Sequence, residues 1–197
     1  MVPQKLPKTL PLSLSGIHIK QVQQVKHMKT IFLVLLFSIS LNTYALAKTP
    51  GEVEVGAYLP DAKLQGFSNK SKKFSELRGK PLIINVWASW CGPCRAEMDS
   101  LERLSKRYNG KQINIIGIST DDDADAAAVF IKEARLTFDN YLDSHVVLEN
   151  ILGANTIPLT IFVDTRGRVV QKVRGSHEWD SQESLKLISN AFQLKLK

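Results

Sequence analysis

The chain has 197 residues, of which 44% are hydrophobic and 23% are charged, a composition that excludes disordered, collagen-like and repeat proteins and suits one compact domain. Its formal net charge is +7, but five lysines within residues 1–47 account for most of that charge, and residues 48–197 carry nearly as many acidic as basic side chains. A nearly neutral body without a dense run of Lys and Arg argues against binding of nucleic acid.

Residues 28–47 have the pattern of a secretory signal. Lys29 precedes the apolar run 31–41, and Ala45-Leu46-Ala47 has the small residues of a cleavage site. As a helix, the apolar run would be about 17 Å long, whereas the hydrocarbon layer of a membrane is about 30 Å thick. We therefore expect cleavage after Ala47, and an uncleaved membrane anchor is the alternative.

This signal would divide the chain into three parts. Residues 1–27 are expected to be a dispensable or mis-assigned extension upstream of the true start, because the positively charged start of a signal is usually short. Residues 28–47 would be the signal itself. Residues 48–197 would form the exported domain.

The exported part begins with extended segments. Residues 53–59 and 62–67 are expected to be extended, the polar residues 68–71 to form a turn, and Phe74-Ser75 to close a β-hairpin. Residues 82–87 follow as a continuous apolar run with β-branched side chains, which is typical of a strand that is buried on both faces. This strand is expected at the centre of a sheet.

Helices and strands then alternate along the chain. The predicted elements are a helix with Met98, Leu101, Leu104 and Tyr108 on one face, a strand at 113–119, a helix at 124–134, a short strand at 138–141, a helix at 145–152, a strand hairpin formed by 159–163 and 169–173, and a final helix at 181–192. That order predicts an α/β domain with a mixed central sheet flanked by helices and an N-terminal β-hairpin extension.

The two cysteines, Cys91 and Cys94, lie where the buried strand leads into a helix. A disulfide between residues three apart closes a ring too small to staple a fold, but such a bond opens and closes readily, so the pair predicts redox chemistry. The helix N-terminus favours a thiolate at Cys91, which makes it the nucleophile, and Cys94 would then resolve the mixed disulfide. Gly92 permits close approach of a partner, and Pro93 suits the first helical turn.

Neighbouring aromatic residues divide into two groups. Trp90 directly precedes Cys91 and is expected to shield the reactive sulfur and to contact partners, whereas Trp87 is expected in the core. No role is predicted for Trp179.

The acidic run 121–125 is expected to cap the following helix rather than to bind a cation.

Other uses of the cysteines fit the sequence less well. A zinc site needs two further ligands, and His145 and His177 are single and far apart in the sequence. An inert structural disulfide would leave the Trp and Gly-Pro context unexplained. A peroxidase is disfavoured because no Pro-x-x-x-Thr/Ser-x-x-Cys pattern precedes either cysteine. We predict neither a metal nor a cofactor.

The motifs resemble those of the TlpA/ResA-like branch of the thioredoxin superfamily. The resemblance rests on Gly79-Lys80-Pro81, on the run from Asn85 to Cys91, on Cys94-Arg95-Ala96-Glu97, on Ile157-Pro158 and on Phe162-Val163-Asp164. It implies a thioredoxin fold and a periplasmic, monomeric thiol-disulfide oxidoreductase that reduces envelope proteins, with apocytochrome c as one client. It also implies a membrane electron donor of the DsbD or CcdA kind.

Two alternatives to this function stay open. A disulfide oxidase or isomerase would use the same two sulfurs. The direction of electron flow depends on the relative stability of the dithiol and the disulfide. A periplasmic chaperone that binds metals or client proteins would use the thiols as ligands.

The resemblance also assigns individual residues. It implies that Cys91 attacks, that Cys94 resolves, and that Pro158 is the cis-proline that faces the cysteines with Ile157 just before it. An X-Pro bond adopts cis at modest cost, and the bend would turn the backbone of residue 157 toward a substrate strand.

Glu97 matches a glutamate that ResA-like proteins place near the active site. A partly buried carboxylate there could accept the Cys94 proton. The alternative is an exposed Glu97 that pairs with Arg103 or Lys106 on the same helix. Asn85 stands where cytoplasmic thioredoxins carry a buried aspartate, which leaves Glu97 as the remaining candidate acceptor.

Overall fold

The computed structural model describes residues 49–67 and 71–196, which belong to a compact unit spanning Lys48–Lys197. The predicted extension (1–27), the predicted signal (28–47) and most of the predicted turn (68–71) lie outside the described residues. Within the described ranges, every helix is too short or too polar to cross a membrane.

One mixed sheet organises the described residues. Its seven strands are β1 (Lys63–Gly66), β2 (Ser71–Lys73), β3 (Leu82–Trp87), β4 (Asn114–Ser119), β5 (Asp139–Leu142), β6 (Leu159–Val163) and β7 (Val169–Arg174), in the spatial order β2-β1-β5-β4-β3-β6-β7. The helices are α1 (Gly92–Tyr108), α2 (Ala124–Glu133), α3 (Val147–Leu152) and α4 (Gln182–Phe192), and a short 3-10 helix spans Phe74–Leu77. The predicted α/β class, with a mixed sheet flanked by helices, is confirmed.

Strand β3 lies inside the sheet, parallel to β4 and antiparallel to β6. All six of its residues are buried, because helices and loops cover both faces. Ile83 and Trp87 belong to a core cluster with α1, α2 and α4, whereas Leu82, Ile84 and Val86 belong to a second cluster on the opposite face. Residues 82–87 therefore form a strand that is buried on both faces and lies inside the sheet, as the apolar run predicted.

Helix α1 turns the apolar face of its sequence toward this sheet. Met98, Leu101, Leu104 and Tyr108 are all buried, as their spacing by three and four predicted. The helix ends at Tyr108, with Asn109 as its C-cap. Burial of each such side chain contributes about 1.5–3 kcal/mol, so this apolar face anchors the helix that carries the cysteines.

The N-terminal segments differ in part from the prediction. Residues 63–66 and 71–73 form the expected antiparallel hairpin, and β1 also pairs with β5, so the hairpin extends the main sheet. The predicted hairpin closure at Phe74-Ser75 is wrong, since the 3-10 helix begins at Phe74.

The predicted extended segment 53–59 is not a strand. Gly56 has a φ of +94°, which interrupts an extended conformation. The backbone N–H groups of the segment instead donate to separate places: Val53 to the carbonyl oxygen of Ile151 at 2.8 Å, Gly56 to that of Val169 at 2.7 Å, and Leu59 to that of Gly167 at 2.8 Å. The segment is therefore irregular and contacts α3 at Ile151 and the start of β7 at Val169.

Candidate active site

Cys91 and Cys94 form a disulfide at the turn between β3 and α1, with their Cα atoms 5.3 Å apart. Cys91 is the N-cap residue of α1, and its sulfur accepts a hydrogen bond from the backbone N–H of Cys94 at 3.2 Å. The exposed fraction is 5% for Cys91 and 0% for Cys94. The sulfur of Cys91 is therefore the one that a partner can reach.

The start of α1 provides a positive environment for these sulfurs. The first turn contains no acidic residue, and Pro93 lies within it, so the positive end of the helix dipole is not neutralised there. Arg95 donates to the carbonyl oxygen of Ser89 at 3.2 Å, and its guanidinium lies 4.5 Å from the centre of the Phe130 ring. The helix N-terminus therefore favours a thiolate at Cys91 once the disulfide is reduced.

The Ile157–Pro158 segment lies against Cys91. Its peptide bond is cis, and the carbonyl oxygen of Ile157 is 3.9 Å from the Cys91 sulfur. Pro158 is buried, whereas Ile157 is half-buried and Thr156 is exposed. Residues far apart in the chain thus form one surface around the reachable sulfur.

Trp90 projects from the loop that precedes Cys91. Its exposed fraction is 72%, so most of the indole is available to a partner. Gly92 and Pro93, on the other side of Cys91, are also exposed. The predicted contact residues therefore lie together on the surface around Cys91, and their part in partner binding remains a prediction.

A buried carboxylate holds the loop that carries Trp90. Asp121 accepts from the backbone N–H of Ser89 at 2.9 Å, from the Ser89 hydroxyl at 2.6 Å and from the Ser119 hydroxyl at 2.6 Å. The acidic run was predicted to cap a helix, and Asp123 does so by accepting from the N–H groups of Asp125 and Ala126. For Asp121 the structure shows a different role, because it lies at the end of β4, beside the end of β3.

We expect Asp121→Asn to loosen this loop. The amide N–H₂ that replaces one acceptor oxygen removes at least one charge-assisted hydrogen bond, a loss of about 1.5–3 kcal/mol. Urea unfolding should show that loss of stability, and hydrogen exchange at the Ser89 amide should become faster. Asp122→Asn, at the exposed neighbouring carboxylate, is the control and should change both much less. Equal exchange at Ser89 in the two variants would contradict this role of Asp121.

Glu97 lies one turn beyond Cys94 and is 1% exposed. Its carboxylate accepts three hydrogen bonds: from Asn85 Nδ2 at 2.7 Å, from the backbone N–H of His177 at 3.0 Å and from Trp179 Nε1 at 3.0 Å. Burial raises the pKa of Glu97, while the three hydrogen bonds and the nearby His177 oppose that rise. A carboxyl group of this kind can exchange a proton closer to neutral pH than an exposed glutamate can.

The alternative of an exposed, ion-paired Glu97 is wrong. Arg103 pairs with Glu178 and Asp180, and Lys106 pairs with Glu102. Both basic side chains therefore pair with acidic residues other than Glu97. Glu97 itself lies on the buried face of α1.

Asn85 links Glu97 to the sheet. Its Nδ2 atom donates both to Glu97 and to the Thr160 hydroxyl, at 2.7 and 2.9 Å. Its Oδ1 atom is buried and has no hydrogen-bond partner among the described residues. Asn85 therefore serves the carboxylate as a donor, so an ionised Glu97 is stabilised from the strand side.

The sequence gives no indication that two residues, Trp179 and His177, contact Glu97. Trp179 is fully buried and contacts Glu97 from a position 82 residues away. His177 donates through its backbone, so its imidazole gives no clue to the contact. The prediction that Trp87 is a core residue is correct, since it is fully buried.

The histidines and acidic residues that the structure describes do not gather into a metal site. Among the described residues, no three His, Cys, Asp or Glu side chains come together in a way that could hold a metal ion. His145 is exposed, and His177 is half-buried beside Trp179.

Comparison with known proteins places the chain in a family. The model of the AhpC/TSA family matches residues 55–172. The chain belongs to the AhpC/TSA family. The thiol-disulfide oxidoreductase ResA of Bacillus thuringiensis is 27% identical over 81% of this chain and 93% of that protein, and ResA of Oceanobacillus iheyensis is 28% identical over 78% and 83%.

Solved structures of similar proteins agree with the fold. A thiol-disulfide oxidoreductase from Bacteroides fragilis is 27% identical, covers 67% of this chain and 99% of its own, and has a TM-score of 0.58. A secreted disulfide oxidoreductase from Mycobacterium tuberculosis, 24% identical with a TM-score of 0.57 over 66% and 94% of the two chains, shows the same fold. The predicted thioredoxin fold is confirmed, and the chain is a thiol-disulfide oxidoreductase that is similar to ResA.

Proposed function

We propose that the protein reduces disulfides of exported proteins through Cys91 and Cys94. The observation that carries this proposal is the difference between the two cysteines: Cys91, at the helix N-terminus, is 5% exposed, while Cys94 is fully buried behind it. A pair arranged in this way can attack a partner with one sulfur and keep the other for the second step.

In the first step the Cys91 thiolate attacks one sulfur of the client disulfide. A bond forms between Cys91 Sγ and that sulfur, the client S–S bond breaks, and the second client sulfur leaves as a thiolate that takes a proton from solvent. The amide N–H groups and dipole of α1 stabilise the attacking thiolate.

In the second step Cys94 resolves the mixed disulfide. The Cys94 thiol gives its proton to the Glu97 carboxylate, and the resulting thiolate attacks Cys91 Sγ. The bond between Cys91 and the client breaks, and the client sulfur leaves as a thiolate. The client has then gained two electrons, and Cys91 and Cys94 have lost two as they form their disulfide.

The surrounding residues would hold the client. Trp90 offers an exposed apolar ring, Gly92 leaves room for a backbone, and Pro93 places no N–H in the first helical turn. The backbone beside Cys91 at Ile157 and Pro158 is suited to pairing with an extended client strand. These roles are part of the proposal.

The proposed setting is the cell envelope. The signal pattern of residues 28–47 supports export of residues 48–197 to the periplasm, with residues 1–27 dispensable. The resemblance to ResA-like proteins supports a monomer that acts on envelope proteins such as apocytochrome c. A membrane dithiol donor of the DsbD or CcdA kind would then return two electrons to the Cys91–Cys94 disulfide.

A redox titration tests the proposed direction of electron flow. We expect the Cys91/Cys94 couple to lie closer to the value of thioredoxin, about −270 mV, than to that of DsbA, about −120 mV. The protein should also accelerate the precipitation of insulin by dithiothreitol. A DsbA-like potential would favour an oxidase or isomerase, and a failure to act on insulin and on envelope-derived disulfides would favour a thiol-binding chaperone.

A further inference from the structure

The segment His177–Asp180, between β7 and α4, lies along one side of α1. Glu97, Ser100 and Arg103 are spaced by three along that helix, and each contacts the segment. The backbone N–H of Trp179 donates to the Ser100 hydroxyl oxygen at 2.9 Å, and the Arg103 side chain donates to Asp180 at 2.6 Å. The segment is therefore attached to the helix at three successive positions.

This segment supplies two of the three hydrogen bonds to Glu97. The Trp179 indole donates through a side chain that is fully buried, with its ring 6.1 Å from Phe162 and 5.2 Å from His177 between centroids. Packing on both sides fixes the direction of the indole N–H. Core packing therefore holds the hydrogen bond from the Trp179 indole to Glu97 in place.

Few charged groups face this carboxylate. From the sheet, Asn85 and Thr160 are neutral, and from α1 the neighbouring ionisable group is Cys94. From the segment, the His177 imidazole is close, whereas Glu178 and Asp180 pair with Arg103 on the exposed side. Hydrogen-bond donors therefore provide most of the stabilisation of an ionised Glu97.

We propose that Trp179 is a positioning residue whose indole N–H holds Glu97 as an oriented carboxylate, and so extends to lower pH the range in which Cys94 resolves the mixed disulfide. This inference rests on the proposed role of Glu97 as acceptor of the Cys94 proton. The indole bond is charge-assisted, so it stabilises the ionised form far more than the protonated acid. Loss of the bond therefore raises the affinity of Glu97 for a proton.

The test is Trp179→Phe in the full chain, which keeps an aromatic ring but removes the N–H. Carbon-13 NMR of the Glu97 carboxyl group should show a titration midpoint about one pH unit higher. The rate of the resolving step, measured as the second phase when the reduced protein reacts with a peptide disulfide, should rise at correspondingly higher pH. At a pH below both midpoints, the variant should resolve the mixed disulfide about tenfold more slowly than the wild type.

Trp87→Phe is the matched control. Trp87 is equally buried, and its indole donates to Asn140 Oδ1 at 3.1 Å, away from Glu97. Both variants lose a buried indole and a hydrogen bond, so a purely structural effect should be alike in the two. We expect neither the Glu97 titration nor the profile of the resolving step to shift in Trp87→Phe.

The outcomes separate this inference from the proposed function. An unchanged Glu97 titration in Trp179→Phe would overturn the inference and leave the proposed function intact. A shifted titration with an unchanged resolving profile would overturn the role of Glu97 as proton acceptor, and with it the inference. Should Trp179→Phe fail to fold, benzothienylalanine at position 179, which exchanges only the N–H for sulfur, gives the same test with the packing retained.

Discussion

Cys91→Ser is expected to abolish reduction of a client disulfide, whereas Cys94→Ala is expected to stop the reaction at a covalent complex. Without Cys91 the sulfur that a partner can reach is lost, and the fully buried Cys94 cannot replace it. Without Cys94 the attack still occurs, but no second sulfur displaces the client. Non-reducing gel electrophoresis of extracts should show client adducts with Cys94→Ala and none with Cys91→Ser.

The double variant lacking both thiols is the control for adducts of other origin. Adducts should disappear in it and on treatment with a reductant. The same amount of adduct with Cys91→Ser as with Cys94→Ala would contradict the assignment of Cys91 as the attacking sulfur. An unchanged set of bound proteins in both single variants would favour a chaperone that binds without exchange.

Glu97→Gln is expected to slow the resolving step about a hundredfold or more at neutral pH, the usual range for loss of a general base. Glutamine keeps the size of the side chain but cannot accept the Cys94 proton. The initial attack by Cys91 should change much less, because that step needs no proton acceptor once the thiolate has formed. Stopped-flow measurement of the two phases, across the pH range from mildly acidic to mildly alkaline, separates these effects.

Glu102→Gln is the matched control for this change. Glu102 lies on the same helix and is buried, but it accepts from the backbone N–H and hydroxyl of Thr137 at 2.8 and 2.7 Å. Its replacement should lower stability without a selective loss of the resolving phase. A resolving phase slowed equally by both substitutions would contradict a specific role for Glu97.

Glu97→Gln should also change how stability depends on pH. Burial raises the pKa of Glu97 in the folded protein, so between the unfolded value of about 4.3 and the raised value the folded state binds more protons than the unfolded state. Stability due to this group therefore falls as pH rises through that window. Glutamine does not titrate, so urea unfolding of the oxidised protein should show the variant gaining relative to the wild type as pH increases. A constant difference across this range would contradict the raised pKa.

The pairing of Asn85 with Glu97 changes the meaning of a departure seen in the sequence. An asparagine on β3 replaces the buried aspartate of cytoplasmic thioredoxins, which removes a proton acceptor from the strand. In the structure Asn85 instead donates to Glu97. Asn85 on β3 therefore donates to a carboxylate that α1 supplies. The ionisable group of this site lies on the same helix as Cys94.

Much of the fold around the cysteines follows from patterns among residues that are close together in the chain. The apolar run of β3, the spacing of buried residues on α1 and the cysteine pair between them each depend on neighbouring residues. The backbone geometry of a strand or a helix converts such spacing directly into a buried face. The central strand, the helix and the position of the two sulfurs could therefore be predicted.

The tertiary structure alone decided the surroundings of those sulfurs. Trp179 and His177 reach Glu97 across about eighty residues of chain, and Asp121 reaches Ser89 across 32. Such contacts depend on which elements pack together and in what register, and a single sequence carries no local trace of them. The extended conformation predicted for residues 53–59 is interrupted by the positive φ of Gly56. The reactive pair is therefore local in origin, whereas the environment proposed to govern its proton transfer arises from packing.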